Sequence, residues 1–528
     1  MENNIIVVGG GFAGLYTALE LDSFFSAIRG NTDYKITVIR SKNVGTIGVG
    51  ESVVQGLLSK FTQWGVPHED FLKASSGTFK LGGSFENWHQ ENGQFFHPLI
   101  GSEALLRTNL GLDNWWVTFG AWWALMNNIE ISEFSLIPAL YHQDMLPMDT
   151  NGRPIASESS WAKHPMNGLG CNFDAVKIVD FLELFIARRK PNISLIDDKI
   201  IDFKLDKNTG GIESLVLEKD KKHINGTFYF DCSGFARVLG KFLNIEFEEF
   251  SDFPQNSVTL IKNGVSYRDE DSIPLAPKIR AMNEGWMFTI PLQHRMGSGY
   301  IFSTKFTPKE KVLEEHLNYW KKSGYKDVEP GPQLTWKPGM FKQPLYKNVL
   351  MVGLSEGFLD PLDSNSLILS LSGIEQFLQS WDLNSVHDND SNFYNLWRKK
   401  LYMHTKKLIS FMMTPSNKRL NSAFWNHYKS NKDLGIPDPT SYLKNFHLID
   451  TPDKAPFGGM SIFTFAQAYN LFDLDRISTW VDLIGAKQFG SEYQREWLDY
   501  LKNIKRLSYT TQTTYLNKVN EKSNYYSC

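Results

Sequence analysis

The chain has 528 residues, of which 42% are hydrophobic and 21% charged, with a net charge of −3. This is soluble globular composition, and the length suits two or three substructures because a single core stops growing at roughly 250–300 residues. The near-neutral charge argues against nucleic acid or an anionic membrane as partner, and no apolar run approaches the roughly 20 residues of a membrane span. Cys171, Cys232 and Cys528 show no metal-ligand spacing, so no metal is expected and the cysteine usage suits a reducing, cytoplasmic compartment.

The most organised stretch comes first. Ile5–Val8 reads as a buried strand, Gly9, Gly11 and Gly14 give G-x-G-x-x-G around Phe12 and Ala13, and Leu15, Ala18 and Leu19 recur at helical spacing. One glycine serves the tight turn, one the approach of backbone to a pyrophosphate, and one close helix–strand packing. The helix N-terminus adds unpaired N–H groups and the positive end of a dipole. The spacing alone also occurs in ordinary glycine-rich turns; the flanking strand and helix favour dinucleotide binding. A second strand, Tyr34–Ile39, ends at Arg40 and Ser41, where an NAD site usually carries an acidic residue. That departure weighs against NAD and suits FAD, with Arg40, Ser41 or backbone groups at the adenosine. A second glycine-rich turn, Thr46–Ser52, is either a surface turn or a wall bringing Gly50, Glu51 and Ser52 to the cofactor.

Lys80 follows between Phe79 and Leu81, ahead of two glycines. Such a lysine is ordinarily a snorkelling side chain, although desolvated lysines do acquire function. Trp88, Phe95, Phe96, His97, Trp115, Trp116, Trp122 and Trp123 form an aromatic-dense region, which suits a core and equally a flat aromatic ligand. Asp174–Lys190 reads as a helix capped by Asp174. Ile193–Ile196, Ile200–Leu205, Ser214–Leu217 and Gly226–Phe230 read as strands of an antiparallel layer, the last leading into Asp231-Cys232-Ser233-Gly234-Phe235, with Cys232 a small buried hydrophobe. Residues 285–302 read as a hairpin with a glycine-rich turn, and Trp286, Phe288 and Ile290 share one face of its first strand. After the strand Asn348–Gly353, the polar run Asp363, Ser364, Asn365, Ser366 precedes a helix from about Leu367 to Trp381. Those residues suit helix caps, and also an anion such as a halide. From about Ser391 the chain reads as helical, and Ser508–Cys528 as a polar, partly frayed end.

Together these pieces resemble the flavin-dependent tryptophan halogenase family over most of the chain. Gly285-Trp286-Met287-Phe288-Thr289-Ile290-Pro291 is similar to the family's W-x-W-x-I-P signature, with Phe288 in place of the second tryptophan. The Gly9–Gly14 fingerprint, Ile47–Ser52, TFKLG around Lys80, Asp231–Phe235, Gly357–Ser364 and Asn421–Trp425 match in the family's order. The resemblance implies an α/β fold: an FAD-binding, Rossmann-like domain and an antiparallel substrate sheet within residues 1–385, and a mostly helical cover over 386–528.

The resemblance further implies that FADH2, supplied by a separate NAD(P)H-dependent flavin reductase, combines with O2 and a halide to give hypohalous acid. That acid passes along a tunnel at Trp286, Phe288, Ile290 and Pro291 to Lys80, which presents it to a small aromatic substrate. Asp363 takes the place of the family's catalytic glutamate, as base or as stabiliser of the cationic ring; it is one methylene shorter. Ser364 lies beside the substrate, Asn365 and Ser366 occupy the positions whose backbone binds chloride, and His97 either flanks the substrate ring or is structural. Departures from Ser-Thr-Gly after the carboxylate favour simpler indoles or phenols over free tryptophan, and family precedent implies a homo-oligomer. A flavin monooxygenase and a flavin-binding protein without turnover are the other readings.

Overall fold

The computed structural model describes residues 3–27, 34–41, 50–53, 56–99, 115–134, 136–153, 169–381, 388–430, 438–445, 455–456, 458–505 and 508–521. Residues 46–49 of the second glycine turn, the side chains of Trp115 and Trp116, and Cys528 lie outside them. The first strand, Asn3–Val8, occupies the middle of a six-stranded sheet because its β-branched residues are buried on both faces. Tyr34–Arg40 and then Ile193–Asp197 pair parallel on one side of it; Phe228–Asp231 and then Val349–Met351 pair parallel on the other. The strands at 193–197 and 228–231 therefore belong to the nucleotide-type sheet, not to an antiparallel layer. Only Ile200–Leu205, Ile212–Leu217 and His223–Asn225 form the expected antiparallel meander between them. The helices Phe12–Ala27 and Ala175–Arg189 pack on this sheet, the second capped as expected by Asp174, whose carboxylate accepts from the N–H groups of Val176 and Lys177.

A second, seven-stranded sheet runs Pro330–Thr335, Ser257–Ile261, Met296–Phe302, Gly285–Pro291, Lys278–Met282, Gly82–Glu86, Gln94–Pro98. All its pairings are antiparallel except that of Lys278–Met282 with Gly82–Glu86. The hairpin forms as expected, but Gly297 and Gly299 lie within its second strand, and the turn is Leu292–Arg295. Gly299 faces Phe288, whose ring a Cβ there would meet at 2.3 Å. The glycine makes room for an aromatic ring, not for a turn.

C-terminal helices, among them Asp388–Met412, Ala423–Ser430 and Gly459–Ala468, bury their apolar faces against this sheet in one cluster that holds Phe85, Trp88, Trp286, Leu401, Trp425 and Phe465. Much of the aromatic-dense region is thereby core: Trp88 sits edge-on to Phe85 and Trp425, and Phe96 stacks on Tyr141. Within the end expected to be partly frayed, residues 512–521 are ordered, and residues 522–528 lie outside the described residues. Gln512–Glu521 is a helix that buries Tyr515, Leu516 and Val519, a spacing that makes one apolar face in a mostly polar segment. Among the described residues no helix is long and apolar enough to cross a membrane.

Candidate active site

The glycine fingerprint is fixed by packing at two positions and open at a third. A Cβ on Gly9 (φ +120°) would lie 2.2 Å from the Cys232 carbonyl oxygen, and one on Gly14 would lie 1.9 Å from that of Gly9. A Cβ on Gly11 would meet nothing within 4 Å. The strand and helix are thus locked together while backbone at Gly11 stays approachable at the start of the Phe12–Ala27 helix, as a dinucleotide pyrophosphate requires. Cys232 is buried against this joint, and burial pushes its thiol up to about 12. Asp231 folds back to accept from the N–H groups of Ser233, Leu239 and Gly240, shaping the turn that faces the fingerprint. Arg40 packs beside Gly10 and pairs with Glu183.

A cavity of about 320 Å³ opens next to the fingerprint, lined by Gly11, Phe12, Ala13, Gly50, Glu51 and Ser52 at one part and by Lys80, Asp363, Ser364 and Ser366 at another. Trp286, Phe288 and Ile290 line it together, as their alternation requires. Arg40, Ser41, Pro291 and Asn365 do not line it. Pro291 serves through its carbonyl, which accepts from Thr78 Oγ1 at 2.7 Å. Asn365 turns inward: its backbone N–H donates to the Leu362 carbonyl, and its side-chain amide donates to the carbonyls of Asp360 and Leu362. Of the two residues expected at a halide, the fold brings only Ser366 to the cavity. Burial pushes the Glu51 carboxyl up to about 7, and the surface it keeps open faces this cavity.

Lys80 ends a short strand, Thr78–Lys80, that pairs with Gly170–Phe173; the other edge of that central strand carries Glu51–Val53. A hydrogen-bond chain knits the three: Ser52 Oγ donates to Asn172 Oδ1 at 2.7 Å, and Asn172 Nδ2 donates to Thr78 Oγ1 at 2.9 Å. Lys80 has no exposed surface. Its Nζ donates to Ser364 Oγ at 2.7 Å and to Asp363 Oδ1 at 3.2 Å. Burial lowers the lysine, with Asp363 opposing. Burial by itself would raise the Asp363 carboxyl, but Lys80 and His97 outweigh it and hold it below the ordinary carboxylate range. Asp363 (φ 48°, ψ 34°) and Ser364 (φ 69°, ψ 21°) are both left-handed, each costing about 1–3 kcal/mol, and that double turn places both side chains on Lys80. Gly83 permits the approach, since a Cβ there would stand 3.0 Å from Asp363 Oδ1.

Asp363 is shared by a second cavity, of about 490 Å³, which His97, Ser461, Lys60 and Glu375 also line. His97 Nδ1 lies 2.6 Å from Asp363 Oδ2. Two residues that motif reading passed over complete the site. Asn172 follows a cysteine in a strand with no motif of its own, and Ser461 stands in the first turn of the Gly459–Ala468 helix, whose entering sequence Gly458-Gly459 was the available signal.

A family model described as Tryptophan halogenase matches residues 4–447. Tryptophan 6-halogenase SttH of Streptomyces toxytricini is 25% identical over 408 residues, covering 74% of each chain. Tryptophan 7-halogenase RebH of Lentzea aerocolonigenes is 23% identical over 447 residues, 83% of this chain and 80% of its own. The crystal structure of a tryptophan halogenase from Shewanella frigidimarina superposes with a TM-score of 0.80 at 22% identity, covering 98% of both chains. The flavin-dependent halogenase Xcc4156 of Xanthomonas campestris superposes with a TM-score of 0.77 at 21% identity, again covering 98% of both. With that match over most of its length, this chain belongs to the tryptophan halogenase family, a family of flavin-dependent enzymes that halogenate aromatic rings.

Proposed function

We propose that this chain uses FADH2, O2 and a halide to halogenate an electron-rich aromatic of the indole or phenol type, with Lys80 and Asp363 at the reacting atoms. The observation that carries this reading is the buried Lys80–Asp363 pair, in which Lys80 lines the cavity beside the glycine fingerprint and Asp363 lines both that cavity and a second one. Bound FADH2 would supply the two electrons with which O2 converts halide to hypohalous acid and water. The residues from Gly9 to Gly14 would hold its pyrophosphate, and Arg40 and Ser41 stand at the strand end where the adenosine belongs.

Trp286, Phe288 and Ile290 keep the path from fingerprint to lysine apolar, so an oxidant travels it without meeting bulk water. The Lys80 ammonium donates to the oxidant's oxygen, which makes the halogen more electrophilic. Its lowered affinity for the proton also makes the free amine, and hence a haloamine, accessible. Asp363 places negative charge beside the ring as it becomes cationic, Ser364 fixes the lysine head group, and Ser366 is the residue of the polar run placed to meet a halide. From the C-terminal part, Ala455, Pro456, Gly458, Gly459, Ser461 and Thr464 line the second cavity, where the aromatic ring would lie.

The test is incubation with FAD, a flavin reductase, NADH and chloride, bromide or iodide in turn, with a panel of indoles and phenols read by product mass. Halogenated product that disappears in Lys80→Ala supports the reading. Products that gain only oxygen, in the presence or absence of halide, overturn it in favour of a monooxygenase, and peroxide without product overturns it in favour of a flavin-binding protein.

A further inference from the structure

The hydrogen bonds around Lys80 do not stop at Asp363. One carboxylate oxygen, Oδ1, receives the Lys80 ammonium at 3.2 Å; the other, Oδ2, lies 2.6 Å from His97 Nδ1; and His97 Nε2 lies 3.0 Å from Ser461 Oγ. All four side chains are buried. Asp363 beside an ammonium is a carboxylate and only accepts, so His97 Nδ1 carries the hydrogen and donates. In the neutral ring that leaves Nε2 as the acceptor, with the Ser461 hydroxyl donating to it. His97, Asp363 and Ser461 all line the second cavity, while Lys80 and Asp363 line the first. Phe85 and Phe465 pack against the imidazole in T-shaped contacts, at centroid distances of 6.2 and 5.6 Å.

We propose that His97 is a further catalytic residue, whose Nε2 removes the proton from the halogenated ring carbon while Asp363 orients the imidazole and stabilises its charged form. The inference rests on the halogenation reading above, and departs from it in moving the proton acceptor from the carboxylate to the imidazole. In the step, a pair of ring electrons forms the carbon–halogen bond, and the oxidant's oxygen leaves as water with a proton from the Lys80 ammonium. The Ser461 hydroxyl rotates to release the Nε2 lone pair, the C–H electron pair returns to the ring, and its proton becomes the Nε2–H of His97. The proton gained by His97 and the one lost by Lys80 flank the same carboxylate, so the sum is hypohalous acid plus arene giving haloarene plus water. Asp363 has both oxygens engaged by these two groups. The other charged side chains on the wall of the second cavity, Lys60 and Glu375, pair with each other at 3.2 Å.

Two measurements test this. In His97→Asn the amide can keep the bond to Asp363 but offers no base at the Nε2 position. Turnover should fall by about 100-fold or more with little change in KM, and a substrate deuterated at the reacting carbon should show an isotope effect absent from the wild type. Wild-type turnover in His97→Asn, or slow turnover without that isotope effect, overturns the proposal. Independently, nitrogen NMR of histidine-labelled wild-type protein should show one ring, missing in His97→Asn, that is protonated at Nδ1 and bare at Nε2. The opposite tautomer overturns the proposal. A wild type that halogenates nothing is seen before any variant is made and overturns the proposed function itself, whereas the tautomer is read without turnover.

Discussion

Lys80 Nζ and Asp363 Oδ1 meet at 3.2 Å across 283 positions of sequence, with the lysine wholly buried. Each group is tolerable there only because of the other. In the wild type the Asp363 carboxyl lies below its ordinary value, so the pair's stabilisation is present above the unfolded carboxyl range near pH 4 and is lost as pH falls through the lowered value. In Lys80→Met, only His97 is left to oppose burial, so the carboxyl rises from its wild-type position and the pair's stabilisation is gone. The deficit against wild type should therefore widen with pH, reaching about 3–5 kcal/mol. Urea unfolding at pH 5 and pH 8 checks it; an equal deficit at both would refute the account.

Glu51 gives the opposite profile. Burial pushes its carboxyl up to about 7, so its protonated form favours the fold, and that contribution is lost as pH rises from the ordinary carboxyl range through about 7. Glu51→Gln should raise the stability of the flavin-free protein by about 3 kcal/mol at pH 8 and change nothing below about pH 4.5. Thermal unfolding across that range measures it.

The hairpin carries a size constraint between neighbouring strands. Gly299→Ala drives a methyl into the Phe288 ring and should cost about 1–3 kcal/mol. Adding Phe288→Leu should recover most of the loss, which a double-mutant cycle in urea reads directly.

The last helix completes the strand that carries Lys80. Gln512 Oε1 accepts the Phe79 backbone N–H at 2.7 Å, and its Nε2 donates to the Pro274 carbonyl at 2.8 Å. Gln512→Leu leaves a buried N–H unpaired next to Lys80 and should cost about 1–3 kcal/mol in urea unfolding.

What could be read from the sequence was what local residues dictate. The Gly9–Gly14 turn, the Asp174 cap and the shared face of Trp286, Phe288 and Ile290 follow from spacing along one element, and all are found. Lys80 and Asp363 sit on elements with no local sign of their meeting; the resemblance paired them, and spacing alone left Lys80 an ordinary snorkelling lysine. Pairing between distant strands was the main loss. Gly299 read as turn because the ring it accommodates is on another strand, and residues 193–197 and 228–231 read as antiparallel because strand composition does not name a neighbour. Gln512–Glu521 read as partly frayed because its polar residues outnumber the three that anchor it. The inward turn of Asn365 depends on two left-handed residues before it, a conformation that Asp363 tolerates but that nothing in the sequence signals for Ser364.

The bond from Phe79 to Gln512 spans 433 positions. At about 5–20 residues per second, a ribosome adds Gln512 roughly 20–90 s after Phe79. The strands of the nucleotide-type sheet are all made by Met351, so that sheet can close during synthesis while the strand of Lys80 still lacks its last partner. The order of translation thus separates closure of the fingerprint sheet from completion of the strand that carries Lys80, which waits until residue 512 has been added.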